Sequence, residues 1–205
     1  WGVTIVRYTD GRTPLEVAEQ ASIIPNQRRA PCSLQLKIKP FTAYIESMPK
    51  PLTVHLGLDF TEMHRAERPK AEYEKIPGVT VDLPLLWEPV AKPPHRYTVE
   101  EWGIETPRLY KLGFPHNNCG GRCVRQGIKE WLRLKHTFPD RFTEVADWEQ
   151  EQRAKGGARA DYAIARDQSR GRATALPLYD IPMVKGEQLP LGTSNEDVFS
   201  CFCSY

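Results

Sequence analysis

Residues 52–87, LTVHLGLDFTEMHRAERPKAEYEKIPGVTVDLPLLW, decide the fold of this chain. The segments LTVHLGLDF and GVTVDLPLLW are rich in β-branched and aliphatic residues, which is typical of strands. The charged segment between them predicts a helix that Pro69 interrupts. Two strands joined through a helix imply a crossover connection, and therefore a parallel pair in an α/β sheet.

Three further elements are expected upstream of this stretch. Residues 3–8 alternate between β-branched apolar and other residues, which predicts a strand. Thr13 has the features of a helix N-cap, with Pro14 at the first helical position and Glu16 in the first turn. Residues 30–47 predict another helix, which Pro40 must kink or restart. Because the chain opens on a strand, we expect it to be a piece of a longer protein.

The sequence changes character after Trp87, where it becomes rich in proline. Apolar residues at helical spacing predict a helix that begins near residues 122–124 and ends near Phe138; they are Val124, Ile128, Trp131 and Leu132. Residues 139–155 predict a further helix. Residues 156–192 are basic and weakly periodic, so we expect a long excursion or a semi-ordered tail there.

These patterns predict an α/β fold: a Rossmann-like parallel sheet with flanking helices, followed by an irregular helical C-terminal segment. Residues 1–90 would form a partial nucleotide-binding domain. Residues 91–150 would form a helical, cysteine-containing segment of that domain, and residues 151–205 a basic, loop-rich extension.

Composition limits the classes of function. A net charge of +2 is too small to indicate nucleic-acid binding by itself. The chain has neither an apolar run of the roughly 18 residues that a membrane span requires nor a signal-peptide pattern at its start. We therefore expect no membrane association and a cytoplasmic location.

Five cysteines form two clusters and a singleton: Cys119 with Cys123, Cys201 with Cys203, and Cys32 alone. An odd number in this arrangement is a poor disulfide framework, and metal or redox chemistry is the common alternative. Thiolates of this kind suit zinc and a [4Fe–4S] cluster equally well. Inert thiols in a tight glycine loop remain the simpler alternative.

Two groups of charged residues are candidates for binding phosphate. Arg28, Arg29, Lys37 and Lys39 form a basic cluster that would neutralise a nucleotide, or else a solvated helix face. Glu62 and Arg65 follow a strand that ends near Gly57, and ligands of open parallel sheets bind at the carboxyl ends of strands. A surface ion pair is the alternative for them.

Arginines of residues 153–172 could follow a nucleic-acid backbone, although interspersed aspartates favour a solvated tail.

Three segments, in order, resemble the phosphoadenosine-phosphosulfate (PAPS) reductase-like branch of the PP-loop ATP pyrophosphatases. RAPCSLQLKIKPF is similar to the family segment with arginine, cysteine, lysine and proline, and it places Cys32 and Lys37 on family positions. LGLDFTEMHRAER is similar to the strand-end motif, with Gly57, Glu62 and Arg65 at the matching positions. The stretch from VDLPLLWEP to HNNCGGRC resembles the family's segment that ends in a cysteine pair.

The resemblance covers residues 1–148 and implies an adenine nucleotide α-hydrolase that binds ATP, or a related adenine nucleotide, with Mg²⁺. It implies that Arg28, Arg29, Lys37, Gly57, Glu62 and Arg65 bind nucleotide or substrate, and that the five cysteines bind a cluster or zinc. The reaction would be ATP-dependent adenylylation or sulfur transfer in the intact parent.

The departures from the family pattern set the limits of this expectation. The serine–glycine–glycine–x–aspartate–serine loop that grips the ATP phosphates does not occur in the sequence, so we expect these 205 residues alone to be inactive. Ser33 stands where cluster-bearing members have a second cysteine, and Asp59 and Phe60 stand where PAPS reductases tend to have arginine. The alternative is a non-catalytic zinc or iron–sulfur module in a larger nucleic-acid or protein assembly.

Overall fold

The structure is a computed structural model that describes residues 2, 4–58, 60–87, 99–169 and 171–182. The chain divides into two compact units. Unit 1 comprises the described residues of Trp1–Arg12 and Cys32–Pro93, and unit 2 those of Thr13–Pro31 and Pro94–Phe202.

Both units combine short strands with helices. The α-helices are α1 (Pro14–Gln20), α2 (Pro31–Ser33), α3 (Lys39–Ser47), α4 (Glu67–Tyr73), α5 (Arg108–Lys111), α6 (Ile128–Thr137) and α7 (Pro139–Ala154). The strands are β1 (Leu52–His55), β2 (Val79–Asp82), β3 (Ala165–Asp167) and β4 (Thr174–Leu176). Within the described ranges, 3₁₀ turns cover Phe60–Arg65, Pro84–Leu86, Cys119–Gly121, Gly157–Asp161 and Leu178–Asp180. None of the helices in the described ranges has the length and apolar character that crossing a bilayer would need.

Unit 1 is built on the parallel pair β1–β2, as the sequence predicts. Leu52 lies opposite Val79, and His55 lies opposite Asp82. Alternation along the strands turns Val54, Val79 and Val81 to one face, where they form a core with Ile45 of α3 and Tyr73 of α4. The residues of opposite parity, Thr53, His55 and Thr80, are exposed.

The expected strand at residues 3–8 is wrong for the described part of that segment, because residues 4–8 have no regular secondary structure. The sheet of unit 1 therefore contains two strands within the described residues, and a Rossmann-like sheet is not established. The coarser prediction, helices combined with a small parallel sheet, is confirmed.

The two prolines expected to break helices act differently from each other. At Pro40 the helix restarts, as expected: a π-helical turn, Leu34–Ile38, ends just before the proline, and the amide of Lys39 donates to Leu34 O. Pro69 does not interrupt α4. It is the third residue of that helix, where an amide would have no partner within the helix, so its missing N–H removes nothing.

Unit 2 packs around the helix pair α6–α7, and Trp131, Leu134, Phe142 and Val145 are fully buried between them and their neighbours. The helix predicted from residues 122–124 begins later, at Ile128. Val124 is buried, as the apolar stripe requires, but it lies in the loop before the helix. The helix over 139–155 is confirmed as α7, and α1 has Thr13 as its N-cap, with a capping box closed by Glu16.

The described residues of 156–182 do not form a loose tail. β3 and β4 pair antiparallel, and Ala163, Ile164, Leu178 and Ile181 are buried. Glu149 of α7, itself 2% exposed, accepts hydrogen bonds from the amides of Ile164 and Leu178, each at 2.6 Å. Sequence periodicity could not reveal this arrangement, because one buried carboxylate holds two segments that are distant in sequence.

Candidate functional site at the carboxyl end of the parallel sheet

The carboxyl ends of β1 and β2 bring together a histidine and an aspartate. Nδ1 of His55 lies 3.2 Å from Oδ2 of Asp82. The other carboxylate oxygen of Asp82 accepts from the amide of Leu83 at 2.8 Å and from the indole Nε1–H of Trp87 at 3.0 Å. These contacts fix the aspartate, and a proton on Nδ1 of His55 would leave Nε2 as the acceptor nitrogen of the ring.

Glu62 and Arg65, which follow β1 in the chain, are paired with each other, as the ion-pair alternative predicts. They lie in the 3₁₀ turn Phe60–Arg65, and the guanidinium Nη1 of Arg65 contacts Oε1 of Glu62. Their side chains are only 15% and 17% exposed, so this is not a solvated surface pair. Gly57 is exposed, and a side chain there would meet nothing within 4 Å. A ligand could therefore approach the backbone at that position.

The basic residues proposed for phosphate binding belong to different units. Arg28 and Arg29 are exposed in unit 2, on a turn in which Oδ1 of the buried Asn26 accepts from both of their amides, at 2.9 and 3.2 Å. Lys37 is exposed on the π-helical turn of unit 1. Lys37 and Lys39, the first residue of α3, therefore share a unit with Gly57, Glu62 and Arg65, whereas Arg28 and Arg29 do not.

Unit 1 also has an open cleft of about 860 Å³ between α3 and α4. Its floor is apolar, with Leu34, Ile38 and Tyr73 among its residues. Two of the cations at its rim are engaged within the protein. Lys50 donates to Ile45 O and Met48 O at 2.6 Å, and Lys75 lies 2.8 Å from Oε1 of Glu72.

The groups that line the cleft carry charges of both signs. Lys75 donates a hydrogen bond to Glu72 and holds the pKa of that carboxyl below its ordinary value. Glu72 therefore remains an anion, and Glu46 also lines the cleft. The cleft thus offers phosphate two carboxylates, two engaged lysines and Arg68. The charge at the end of the sheet is also mixed, because Arg65 is paired with Glu62 there. What favours the end of the sheet is its position, since ligands of open parallel sheets bind at the carboxyl ends of strands.

The cysteine loop of unit 2, residues 119–123, has an unusual backbone. Cys119, Gly120 and Gly121 have φ values of 51°, 59° and 84°, and left-handed conformations are uncommon for a residue with a side chain. The amide side chain of Gln126 donates to Gly121 O at 3.0 Å, and Nη1 of Arg141 donates to Gly120 O at 2.9 Å. These contacts hold the loop with the thiol of Cys119 exposed.

The described residues do not by themselves complete a metal site. Cys32, Cys119 and Cys123 form no disulfide with one another, and no three His, Cys, Asp or Glu side chains in the described ranges are grouped to hold a metal ion. Cys201 and Cys203, the other predicted ligands, lie outside the described residues. The shared thiolate site stays a prediction.

Comparison with known proteins finds no relative: no family model, curated protein or solved structure matches the chain. The site therefore stands on its own geometry. Sequence reasoning did not assign His55, Asp82 or Trp87 to a site. The sequence does contain a signal for His55 and Asp82, which is the alternation of side chains along each strand. Thr53 and His55 in β1, and Thr80 and Asp82 in β2, alternate with buried valines and so lie on the opposite face.

Proposed function

We propose that the chain is part of a PAPS reductase-like adenine nucleotide α-hydrolase and acts in the cytoplasm. The observation that carries the proposal is the parallel β1–β2 pair, with His55–Asp82 and Glu62–Arg65 following the ends of its strands. Adenine nucleotides bind at this end of open parallel sheets. The three motifs that resemble the family support the same assignment.

The proposed chemistry is attack by a substrate oxygen on the α-phosphorus of ATP. The new P–O bond forms as the bond to pyrophosphate breaks, which leaves an adenylylated substrate that a sulfur or other nucleophile can attack with loss of AMP. Mg²⁺ would enter with ATP and offset the phosphate charge. Glu62 fixes the guanidinium of Arg65, as a phosphate-binding arginine requires.

We expect these 205 residues to release no pyrophosphate from ATP and Mg²⁺. The family loop whose backbone amides hold the β- and γ-phosphates is not in the sequence, and most transition-state stabilisation would be lost without those donors. A coupled pyrophosphate assay on the purified chain checks this, with Lys37→Ala as a comparison. Release that the Lys37→Ala variant abolishes would contradict the role of the missing loop.

A second candidate function is a zinc- or cluster-bearing binding module. The observation in its favour is Cys119, a non-glycine residue held at φ 51° with its thiol exposed. Such strain is retained mainly where it serves a site. Elemental analysis for zinc and iron, on wild type and on a Cys119→Ser, Cys123→Ser variant, separates this candidate from two inert thiols.

A further inference from the structure

Positive charge is concentrated in one part of unit 2. Of the chain's 28 lysines and arginines, eight fall within residues 108–141, and of its 26 aspartates and glutamates only two do, Glu130 and Asp140. A chain that is nearly neutral as a whole therefore has one strongly basic segment. None of the arginines proposed for nucleic-acid binding from the sequence lies in this segment.

The fold gathers three of these residues around a pair of stacked rings. The centroids of Phe114 and Phe138 are 6.3 Å apart, and the guanidinium carbons of Arg108 and Arg141 lie 5.1 and 4.5 Å from the centroid of Phe138. The guanidinium of Arg133 lies 5.9 Å from the Phe114 centroid. Arg122, on the cysteine loop, is instead paired with Glu144, so we name Arg108, Arg133 and Arg141 the arginine cluster.

The arginine cluster brings positive charges close together. Sharing one ring keeps the guanidiniums of Arg108 and Arg141 within about 10 Å of each other, roughly one Debye length at 0.1 M salt. The partners shown for this pair are neutral: the Phe138 ring for both and Gly120 O for Arg141. Neutral partners leave the positive charge uncompensated, and an anionic ligand would offset the resulting repulsion.

We infer that the arginine cluster, with Lys129, binds the phosphate backbone of single-stranded nucleic acid. Lys111 is not included, because its ammonium lies 2.6 Å from Oε1 of Glu105. The planar N–H donors of a guanidinium match the geometry of a phosphate group. Several cations within one Debye length of each other suit a nucleic-acid strand, whose phosphate charges repeat at regular intervals. An acidic peptide fits less well. Its apolar side chains would need open apolar surface, whereas guanidiniums already cover Phe114 and Phe138.

Tyr110 favours a single strand over a duplex. It is exposed on α5, between Arg108 and Lys111, and its exposed fraction is 36%. An aromatic face beside cations is the arrangement on which unpaired bases stack, and the bases of a duplex are not accessible for such stacking. The inference does not depend on the nucleotide chemistry proposed for unit 1.

Fluorescence anisotropy of labelled oligothymidine, measured across a range of salt concentrations, tests the inference on the whole chain. Each phosphate contact contributes about 0.7 to the slope of log K against log salt for a single strand, so losing one weakens binding roughly five-fold at 0.1 M salt. We expect that loss from each of Arg108→Gln, Lys129→Gln and Arg141→Gln. Tyr110→Ala should weaken oligothymidine binding about ten-fold and leave binding to a labelled duplex unchanged.

Arg159→Gln and Arg172→Gln are the matched controls, because they remove the same charge from the segment 156–182 and should leave affinity and slope unchanged. Arg108 and Lys129 are exposed, so their variants should fold even if Arg141→Gln, which loses the contact to Gly120, does not. Three results would overturn the inference: no salt-dependent binding by wild type, equal losses in the controls, or equally tight binding of polyglutamate.

Discussion

Replacing Glu149 by glutamine should lower the free energy of unfolding by about 2–4 kcal/mol. Each carboxylate oxygen accepts from one buried amide, that of Ile164 or of Leu178. A glutamine has one acceptor oxygen, so its NH₂ group would face a buried N–H donor that has no other acceptor in place. Urea denaturation followed by circular dichroism measures the change.

Glu151→Gln is the matched control, because Glu151 is exposed on the same helix, and it should change stability by less than about 0.5 kcal/mol. Equal stability of wild type and the Glu149→Gln variant would contradict the role given to this carboxylate.

The same residue predicts a pH dependence. Burial raises the pKa of Glu149 above its ordinary value, although the two backbone amides act in the opposite direction. The folded state therefore binds the proton more tightly than the unfolded state. The stabilisation that protonation of Glu149 gives to the folded state is complete below the ordinary pKa of the unfolded chain. It is lost as pH rises through the raised pKa of the folded state. The stability difference between wild type and Glu149→Gln should accordingly shrink as pH increases across that interval.

Replacing Gly121 by alanine should lower the free energy of unfolding by about 2–4 kcal/mol. Its φ of 84° is strained for a residue with a side chain, and a Cβ would lie 3.1 Å from Cδ1 of Leu134 and 3.2 Å from Cε1 of Phe114. Both neighbours are buried, so they cannot move aside without loss of packing. Thermal unfolding of the variant measures the loss.

Gly157→Ala separates the two causes. Gly157 has a φ of 63°, but a Cβ there would meet nothing within 4 Å. It should therefore show only the backbone cost, about 1 kcal/mol. Equal losses at the two glycines would show that the contacts with Leu134 and Phe114 contribute nothing.

Local chemistry made part of the fold predictable. Thr13, Pro14 and Glu16 specify the start of a helix within four residues, and the valines of β1 and β2 specify a buried face. The start of α6 was less predictable, because Val124 continues the apolar spacing although left-handed residues 119–121 and the turn after them delay the helix. The buried contacts of Glu149 join residues 15 and 29 positions apart, and no local pattern encodes them.

The candidate site was predictable to a similar degree. The glycine-ended strand motif pointed to Glu62 and Arg65 as site residues, which stays a prediction; the structure shows that the two side chains are paired with each other. The contact between His55 and Asp82 depends on the register between two strands, which a single strand's sequence does not specify. The arginine cluster likewise depends on Phe114 and Phe138, which are 24 positions apart and stack only once unit 2 has folded.

The most direct test of the central claim is a titration of the ¹⁵N-labelled chain with AMP, followed by amide and indole NMR shifts. AMP keeps the adenine and the α-phosphate and does not need the loop that binds the outer phosphates. We expect the largest shifts at the amides of Gly57, Leu58 and Leu83 and at the indole N–H of Trp87, and weaker binding in Arg65→Gln. Shifts confined to the cleft between α3 and α4 or to unit 2, or no shifts at all, would contradict a nucleotide site at the carboxyl end of the parallel sheet.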